Sequence, residues 1–228
     1  MKPVVLTDIP FPARSEELAD RLGAPREGEL ARDFAGLLEE ARRLARPKAL
    51  YRVAFVEERG EDYVVAAGVR LKSRVLAVNL RGRHRLFPFA ATCGEELEEW
   101  SKRFEDPLLR FWAEGFKEAA LRAASAAVKE ALRRRFGLGK TATMNPGALP
   151  DWPLQEQEPL FRLLGQPEKH IGLRLTESMM MKPVKSLSGV LFETDSDYHN
   201  CRLCPRRGCP GRSAPYDPDL WEQRYAPH

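Results

Sequence analysis

Leu50-Tyr-Arg-Val-Ala-Phe-Val56 and Asp62-Tyr-Val-Val-Ala-Ala-Gly68, joined by a charged run with Gly60 at its turn, are the residues from which the fold is read. The first alternates in side-chain character with a period of two, the mark of a strand with one face in a core. With the second following directly, the two form a predicted hairpin. Val75 to Leu80 and Arg85 to Thr92 add two more strand candidates around Arg81-Gly82. Outward from this region the period changes. Upstream, Glu27 to Ala45 repeats Leu30, Phe34, Leu37, Leu38, Ala41 and Leu44 at helical spacing and is stopped by Pro47. Before it, Ser15-Glu16-Glu17 can cap a short helix to Leu22, ended by Gly23 and Pro25. Downstream, Glu95 to Phe104 reads as a short helix. Pro107 to Phe136 reads as a long one whose Leu108, Trp112, Phe116, Ala119, Ala123, Ala127 and Ala131 share a face. Its alanines allow close approach to a sheet, and Arg133-Arg134-Arg135 suits the negative end of its dipole. The order predicts an α+β fold: helices packed on a twisted, mostly antiparallel sheet.

The 228 residues fit one large domain with an appendage, and 43% hydrophobic residues suffice for a sizeable core. The expected division is an α+β domain over 1–195 and a cysteine-rich tail over 196–228. No run approaches the ~18 consecutive apolar residues of a membrane span, and the start lacks the pattern of a secretory signal. A cytoplasmic, reducing location is expected, with no membrane partner. The net charge is only +4, but four arginines and no carboxylate lie between His199 and Ser213. No aromatic interleaving or reading motif accompanies them, so nucleic acid is not an expected partner.

Three of the four cysteines fall within Cys201-Arg-Leu-Cys204-Pro-Arg-Arg-Gly-Cys209, followed by Pro210-Gly211. A turn-rich C-x2-C-x4-C segment can bring three thiolates onto one ion or cluster with little loop-closure cost. Cys93 is the remaining cysteine, and as a fourth ligand it would staple the tail to the main fold. Tetrahedral zinc on four thiolates, or on three and His199, would serve only to fold the tail. A [4Fe–4S] cluster uses the same ligands, and spacing alone does not separate the two. The flanking guanidinium groups would stabilise a negatively charged cluster and favour its reduced form.

Met144-Asn-Pro-Gly-Ala-Leu-Pro-Asp-Trp-Pro153 is a loop with three prolines, followed by a helical stretch Gln155 to Leu164. Proline preorganises it and Gly147 permits close backbone approach; this suits a ligand-binding turn and equally a structural crossover carrying a buried Trp152. Pro146, Gly147, Asp151 and Trp152 are the candidate ligand-binding residues. Beyond it come Ile171-Gly-Leu-Arg-Leu-Thr-Glu-Ser178, three methionines read as core residues, and the strand-like Pro183 to Phe192.

Pro146-Gly147, Leu160-Phe161-x-Leu163-Leu164, Ile171 to Ser178, Met181, Pro183 and Ser186-x-Ser188-Gly189 together resemble the activation domain of cobalamin (vitamin B12)-dependent methionine synthase. The resemblance is specific over about residues 140–195; the earlier residues fit in outline, and the cysteine tail is similar to an extension in short stand-alone relatives. It implies a helper that returns an oxidised cobalt(II) corrinoid to the methyl-carrying cycle, with a corrinoid protein or cobalamin-dependent methyltransferase as partner and supplier of the corrinoid. In the family this uses an external electron and S-adenosylmethionine. The family's adenosylmethionine loop has an arginine three positions before the proline and a tyrosine just after the glycine, where this chain has Thr143 and Ala148. Weak adenosylmethionine binding is therefore expected. The leading expectation is reductive activation, with a [4Fe–4S] cluster on Cys93, Cys201, Cys204 and Cys209 passing one electron to cob(II)alamin. The alternatives are an adenosylmethionine-dependent reactivation subunit and a zinc-stabilised module that binds the corrinoid protein without redox activity.

Overall fold

The structure, a computed structural model, describes residues 2–11 and 15–227. Its strands are β1 (Val4–Leu6), β2 (Lys48–Tyr51), β3 (Ala54–Arg59), β4 (Tyr63–Ala66), β5 (Val69–Lys72), β6 (Arg85–Thr92), β7 (Thr141–Met144), β8 (Arg174–Leu175), β9 (Met181–Lys182) and β10 (Ser186–Glu193). Its helices are α1 (Ser15–Arg21), α2 (Glu29–Leu44), α3 (Arg74–Asn79), α4 (Glu95–Ser101), α5 (Pro107–Phe136), α6 (Gln157–Leu164), α7 (Pro167–Ile171), α8 (Asn200–Leu203) and α9 (Leu220–Arg224). The side chain of Ser15, expected to cap α1, lies outside the described residues.

Among the described residues, eight strands form one antiparallel sheet in the order β1-β2-β6-β3-β4-β5, with β10 on the other edge of β6 and β7 on β10. β8 and β9 form a separate ribbon. The central strand β6 pairs with β2 from Phe89 to Thr92 and with β3 at Arg85 and Leu86. The stretch read as one strand from Leu50 to Val56 is thus two, interrupted at Arg52-Val53. There Arg52 donates its backbone N–H to Pro88 and a guanidinium N–H to the Leu163 carbonyl, 2.9 Å each. The expected hairpin with residues 62–68 is present as β3–β4, with a register shift between Val56 and Glu58.

The period of two divides the core. Leu50, Leu86, Ala90, Val190 and Phe192 face one cluster, with α3, α6 and the residue 149–152 loop. Ala49, Tyr51, Phe87, Phe89, Ala91 and Leu191 face another, against Ala124, Val128 and Leu132 of α5. A third cluster gathers α1, α2, α4 and the first half of α5 around Phe34, Trp112 and Phe116, whose rings meet edge to face at 5.2–5.3 Å. Each such fully buried side chain contributes about 1.5–3 kcal/mol relative to exposure.

α5 has the predicted bounds because its ends are chemically marked. Asp106 accepts from the N–H groups of Leu108 and Leu109 at 2.8 and 3.0 Å, Pro107 needs no partner at the first turn, and Gly137 closes the helix at φ 61°. Its buried face differs from the expected one. Leu108 is exposed, and past Ala120 the inward positions are Ala124, Val128 and Leu132 rather than Ala123, Ala127 and Ala131. Val75 to Leu80, expected as a strand, is helix α3. Ser73 accepts from Leu76 N at 3.0 Å to start it, and Val75 to Asn79 are all buried, so the run carries no alternation that distinguishes the two states. The methionines also depart from the core expectation: Met180 is exposed and Met179 and Met181 are half-buried.

Candidate functional site

β7 ends against β10 and delivers the loop predicted to bind a ligand. The approach is close because residue 189 is glycine: a Cβ there would lie 2.4 Å from the Met144 carbonyl oxygen. Asn145 then donates its amide to the Ser188 carbonyl at 2.8 Å. The loop closes on itself, with Gly147 N–H bonded to Trp152 O at 2.7 Å and Ala148 N–H to Asn145 O at 3.1 Å. Trp152 is fully buried in the core beneath, and among the described residues its indole N–H has no hydrogen-bond partner. Asp151 is committed to α3: its carboxylate accepts from the Ser73 hydroxyl and from the backbone N–H groups of Arg74 and Val75 at 3.1 and 3.0 Å. Of the four residues singled out, Pro146 and Trp152 are buried, Asp151 caps a helix, and Gly147 is exposed beside Ala148. Thr143 is half-buried on β7, opposite Leu191.

The tail passes this loop. Tyr198 is buried, and its hydroxyl donates to Asn200 Oδ1 at 2.8 Å; the Asn200 amide reaches Asn145 Oδ1 at 3.4 Å. Leu203, Cys204, Leu220 and Trp221 pack against the cluster that holds Trp152 and Tyr198, and Tyr225 is fully buried within it. Tyr225 donates to Asn79 Oδ1 at 3.0 Å, while the Arg74 guanidinium donates to the carbonyls of Tyr225 and Ala226. Burial pushes the Tyr198 and Tyr225 phenols up from their ordinary range, well up for Tyr198. Tyr198 and Tyr225 thus anchor the tail in the core, with Leu203, Cys204, Leu220 and Trp221 packed against it.

Within the tail, Arg212 organises the cysteine segment. Its guanidinium donates to the carbonyls of Cys201 (3.0 Å), Ala214 (3.3 Å), Cys204 (3.1 Å) and Arg206. Arg202 pairs with Asp217 at 2.7 Å and closes the same loop. Cys201 Sγ lies 3.5 Å from both the hydroxyl and the N–H of Ser213; those hydrogen bonds, with the nearby Arg212 charge, hold its thiol below the ordinary value. Cys201, Cys204 and Cys209 are all half-buried and His199 is exposed.

Cys93 stands elsewhere. It directly follows β6 and shares the parity of Phe87, Phe89 and Ala91, whose face packs on α5; the tail packs with the opposite face. Its thiol is fully buried in the α-helical cluster, donates to Gly94 O at 3.4 Å, and is pushed up to about 12 by burial. The chain therefore does not bring Cys93 together with Cys201, Cys204 and Cys209, and among the described residues no three Cys, His, Asp or Glu side chains form a metal-holding group. The tail thiols have the donor chemistry of a metal site; Cys93 does not fit it.

Beside Cys93 lies a buried charge that the sequence reading missed. Lys117 is 3% exposed and bonds Glu98 at 3.1 Å and Glu114 at 2.5 Å. Burial alone would lower the ammonium pKa, but the hydrogen bonds to Glu114 and Glu98 outweigh it and raise it. A lysine three residues after a glutamate on a long helix carries no sequence mark of burial.

The architecture defines the class: an α+β protein with one antiparallel sheet, a long helix on one face, and a glycine-assisted loop and C-terminal tail on the other. Residues 145–207 match the family model of the vitamin B12 dependent methionine synthase activation domain. That match takes in Cys201 and Cys204 and so runs further into the tail than the resemblance read from sequence. The structure is similar to the crystal structure of the MetH reactivation domain bound to AdoHcy, with TM-score 0.64 and 18% identity over 87% of this chain and 81% of that one. No curated protein matches the chain. These findings identify it as activation-domain-like, in fold across most of its length and in sequence over residues 145–207. Among the described residues, no helix is long and apolar enough to cross a membrane.

Proposed function

We propose that this protein is a reactivation helper for a corrinoid-dependent methyltransferase, acting on the partner's cobalt(II) state. The observation that carries this reading is the coincidence of two independent likenesses, activation-domain sequence over residues 145–207 and activation-domain fold over 87% of the chain. The protein's contribution is position. A helper shifts its partner towards an activation-competent state only by binding that state more tightly. The test is a pull-down or calorimetric titration against a corrinoid protein in its cobalt(II) and methylated forms. Tighter binding of the cobalt(II) form is expected, and equal affinity would sink the reading.

We further propose that the thiolates of Cys201, Cys204 and Cys209 serve an iron–sulfur centre, with the fourth position filled from outside the cysteine set. The grouping of the thiols, the lowered Cys201 thiol and the Arg212-centred loop support this. When bound, such a centre supplies the single electron that cobalt(II) requires. Binding requires the three thiols to draw together. An anaerobic preparation should be brown, absorb broadly near ~400 nm and bleach with dithionite. Stoichiometric zinc in a colourless protein would instead favour the zinc-stabilised binding module.

A further inference from the structure

Three segments distant in sequence meet in a polar cleft of about 600 Å³, whose lining includes neither Gly147 nor a cysteine. The turn after α3 supplies Arg81 and Arg83, the residues after β10 supply Thr194, Asp195 and Ser196, and the end of α9 supplies Arg224. Asp195 is the one carboxylate in the lining, and it pairs with Arg83. Among the described residues, neither Arg81 nor Arg224 forms a carboxylate salt bridge; Arg224 only lies over the Tyr225 ring at 5.5 Å. Thr194 Oγ1 and Ser196 Oγ are 2.9 Å apart, so one hydroxyl donates to the other and the second keeps its proton for another acceptor. The carbonyls of Leu76, Val78 and Leu80 at the end of α3 are already taken by the N–H groups of Leu80, Arg81 and Arg83, which leaves them satisfied beside an anion.

We infer that this cleft binds a phosphate group, gripped by Arg81 and Arg224 and completed by the Thr194–Ser196 hydroxyl pair. Guanidinium forks match phosphate oxygens two at a time, and a hydroxyl supplies a second kind of donor that such a group accepts. The volume lies in the range of small-molecule sites, roughly 300–1,000 Å³, so there is room for an ester as well as the free ion. α9 provides one of the two arginines, so the site exists only with the tail packed in place.

The test is calorimetric titration of the full chain with inorganic phosphate and with methyl phosphate, against chloride at matched ionic strength. Saturable binding of one equivalent is expected. Arg81→Ala and Arg224→Ala should each weaken it about tenfold, the usual effect of losing one charge-assisted hydrogen bond. Asp195→Asn, which frees Arg83, should tighten it. Methyl phosphate binding at least as well as phosphate assigns an ester as ligand; tighter phosphate assigns the free ion. Both arginines are exposed, so circular dichroism should show both variants folded. No heat beyond the chloride control, or the same affinity in both arginine variants, would overturn the assignment.

Discussion

Asp151 holds Ser73, 78 residues earlier in the chain, through a carboxylate–hydroxyl hydrogen bond, and in doing so ties the Gly147 loop to the start of α3. The same carboxylate takes the N–H groups of Arg74 and Val75, and Arg74 in turn holds the C-terminal carbonyls of Tyr225 and Ala226. One aspartate thus couples the loop, a helix end and the tail.

Asp151→Ala should therefore act on stability, lowering it by about 1–2 kcal/mol in urea denaturation as loss of an N-terminal helix cap does. Asp151→Asn, which keeps an acceptor oxygen, should lose less. An alanine variant of unchanged stability but impaired ligand binding would return this residue to the role read from sequence.

Tyr225→Ala should cost about 3–5 kcal/mol, the range for emptying a fully buried aromatic site, and it also strips Asn79 of its hydroxyl donor. Tyr225→Phe, which keeps the ring, should cost about 1 kcal/mol. A single cooperative transition shared by wild type and variants in chemical denaturation is expected. A separate early melting of residues 196–228 would show instead that the tail folds on its own.

What was legible in the sequence follows from how locally each signal is written. α5 was readable to the residue because Asp106, Pro107 and Gly137 mark its ends in the chain itself, and β6 because its apolar run is bounded by Arg85 and Gly94. α3 was not: Val75 to Val78 run apolar without a break, so no period shows, and what holds the helix is partly Asp151, which only tertiary structure brings there. Cys93 misled for the same reason. Residue type alone pairs it with the tail thiols, whereas strand parity turns it to the α5 side of the sheet. Gly147 marks its loop by residue type, but the commitments of Asp151 and Trp152 to α3 and the core leave no mark in the sequence.

Lys117 gives a pH-dependent contribution with a definite sign. Its pKa is raised above the ordinary 10.5, so the stabilisation is fully present below that value and is lost as pH rises beyond it through the folded-state pKa. Lys117→Ala leaves the Glu98 carboxylate, itself 16% exposed, without its buried partner and should cost about 3 kcal/mol at neutral pH. The gap between wild type and variant should narrow in urea melts at alkaline pH; a constant gap would mean that packing, and not charge, sets the loss.

Cys201 and Cys93 should differ sharply towards iodoacetamide in metal-free protein. The lowered Cys201 thiol makes thiolate at lower pH than an ordinary cysteine, while Cys93, buried and pushed up to about 12, stays protonated. Peptide mapping after brief alkylation should find Cys201 labelled and Cys93 not, and Ser213→Ala should move the Cys201 pH profile upward. Fast labelling of Cys93 in folded protein would contradict its burial.

The resemblance to the activation domain implies adenosylmethionine binding, but Thr143 and Ala148 stand where that family's loop carries an arginine and a tyrosine. Thr143, half-buried on β7, offers no guanidinium for a ligand carboxylate, and exposed Ala148 offers neither ring nor phenol. Losing a charge-assisted hydrogen bond and an aromatic contact should remove roughly several kcal/mol of affinity. Tyr198 of the neighbouring tail is no replacement, since it is buried and its hydroxyl is used by Asn200. Wild-type protein should therefore show weak binding or none in calorimetry with adenosylmethionine. Thr143→Arg combined with Ala148→Tyr should gain at least about tenfold, since the pair restores the guanidinium and the phenol ring that the loop lacks. Tight wild-type binding would mean that other residues grip the ligand and would restore an adenosylmethionine-dependent reaction, whereas no gain in the double variant would show that the Gly147 loop itself no longer has the shape that such a ligand needs.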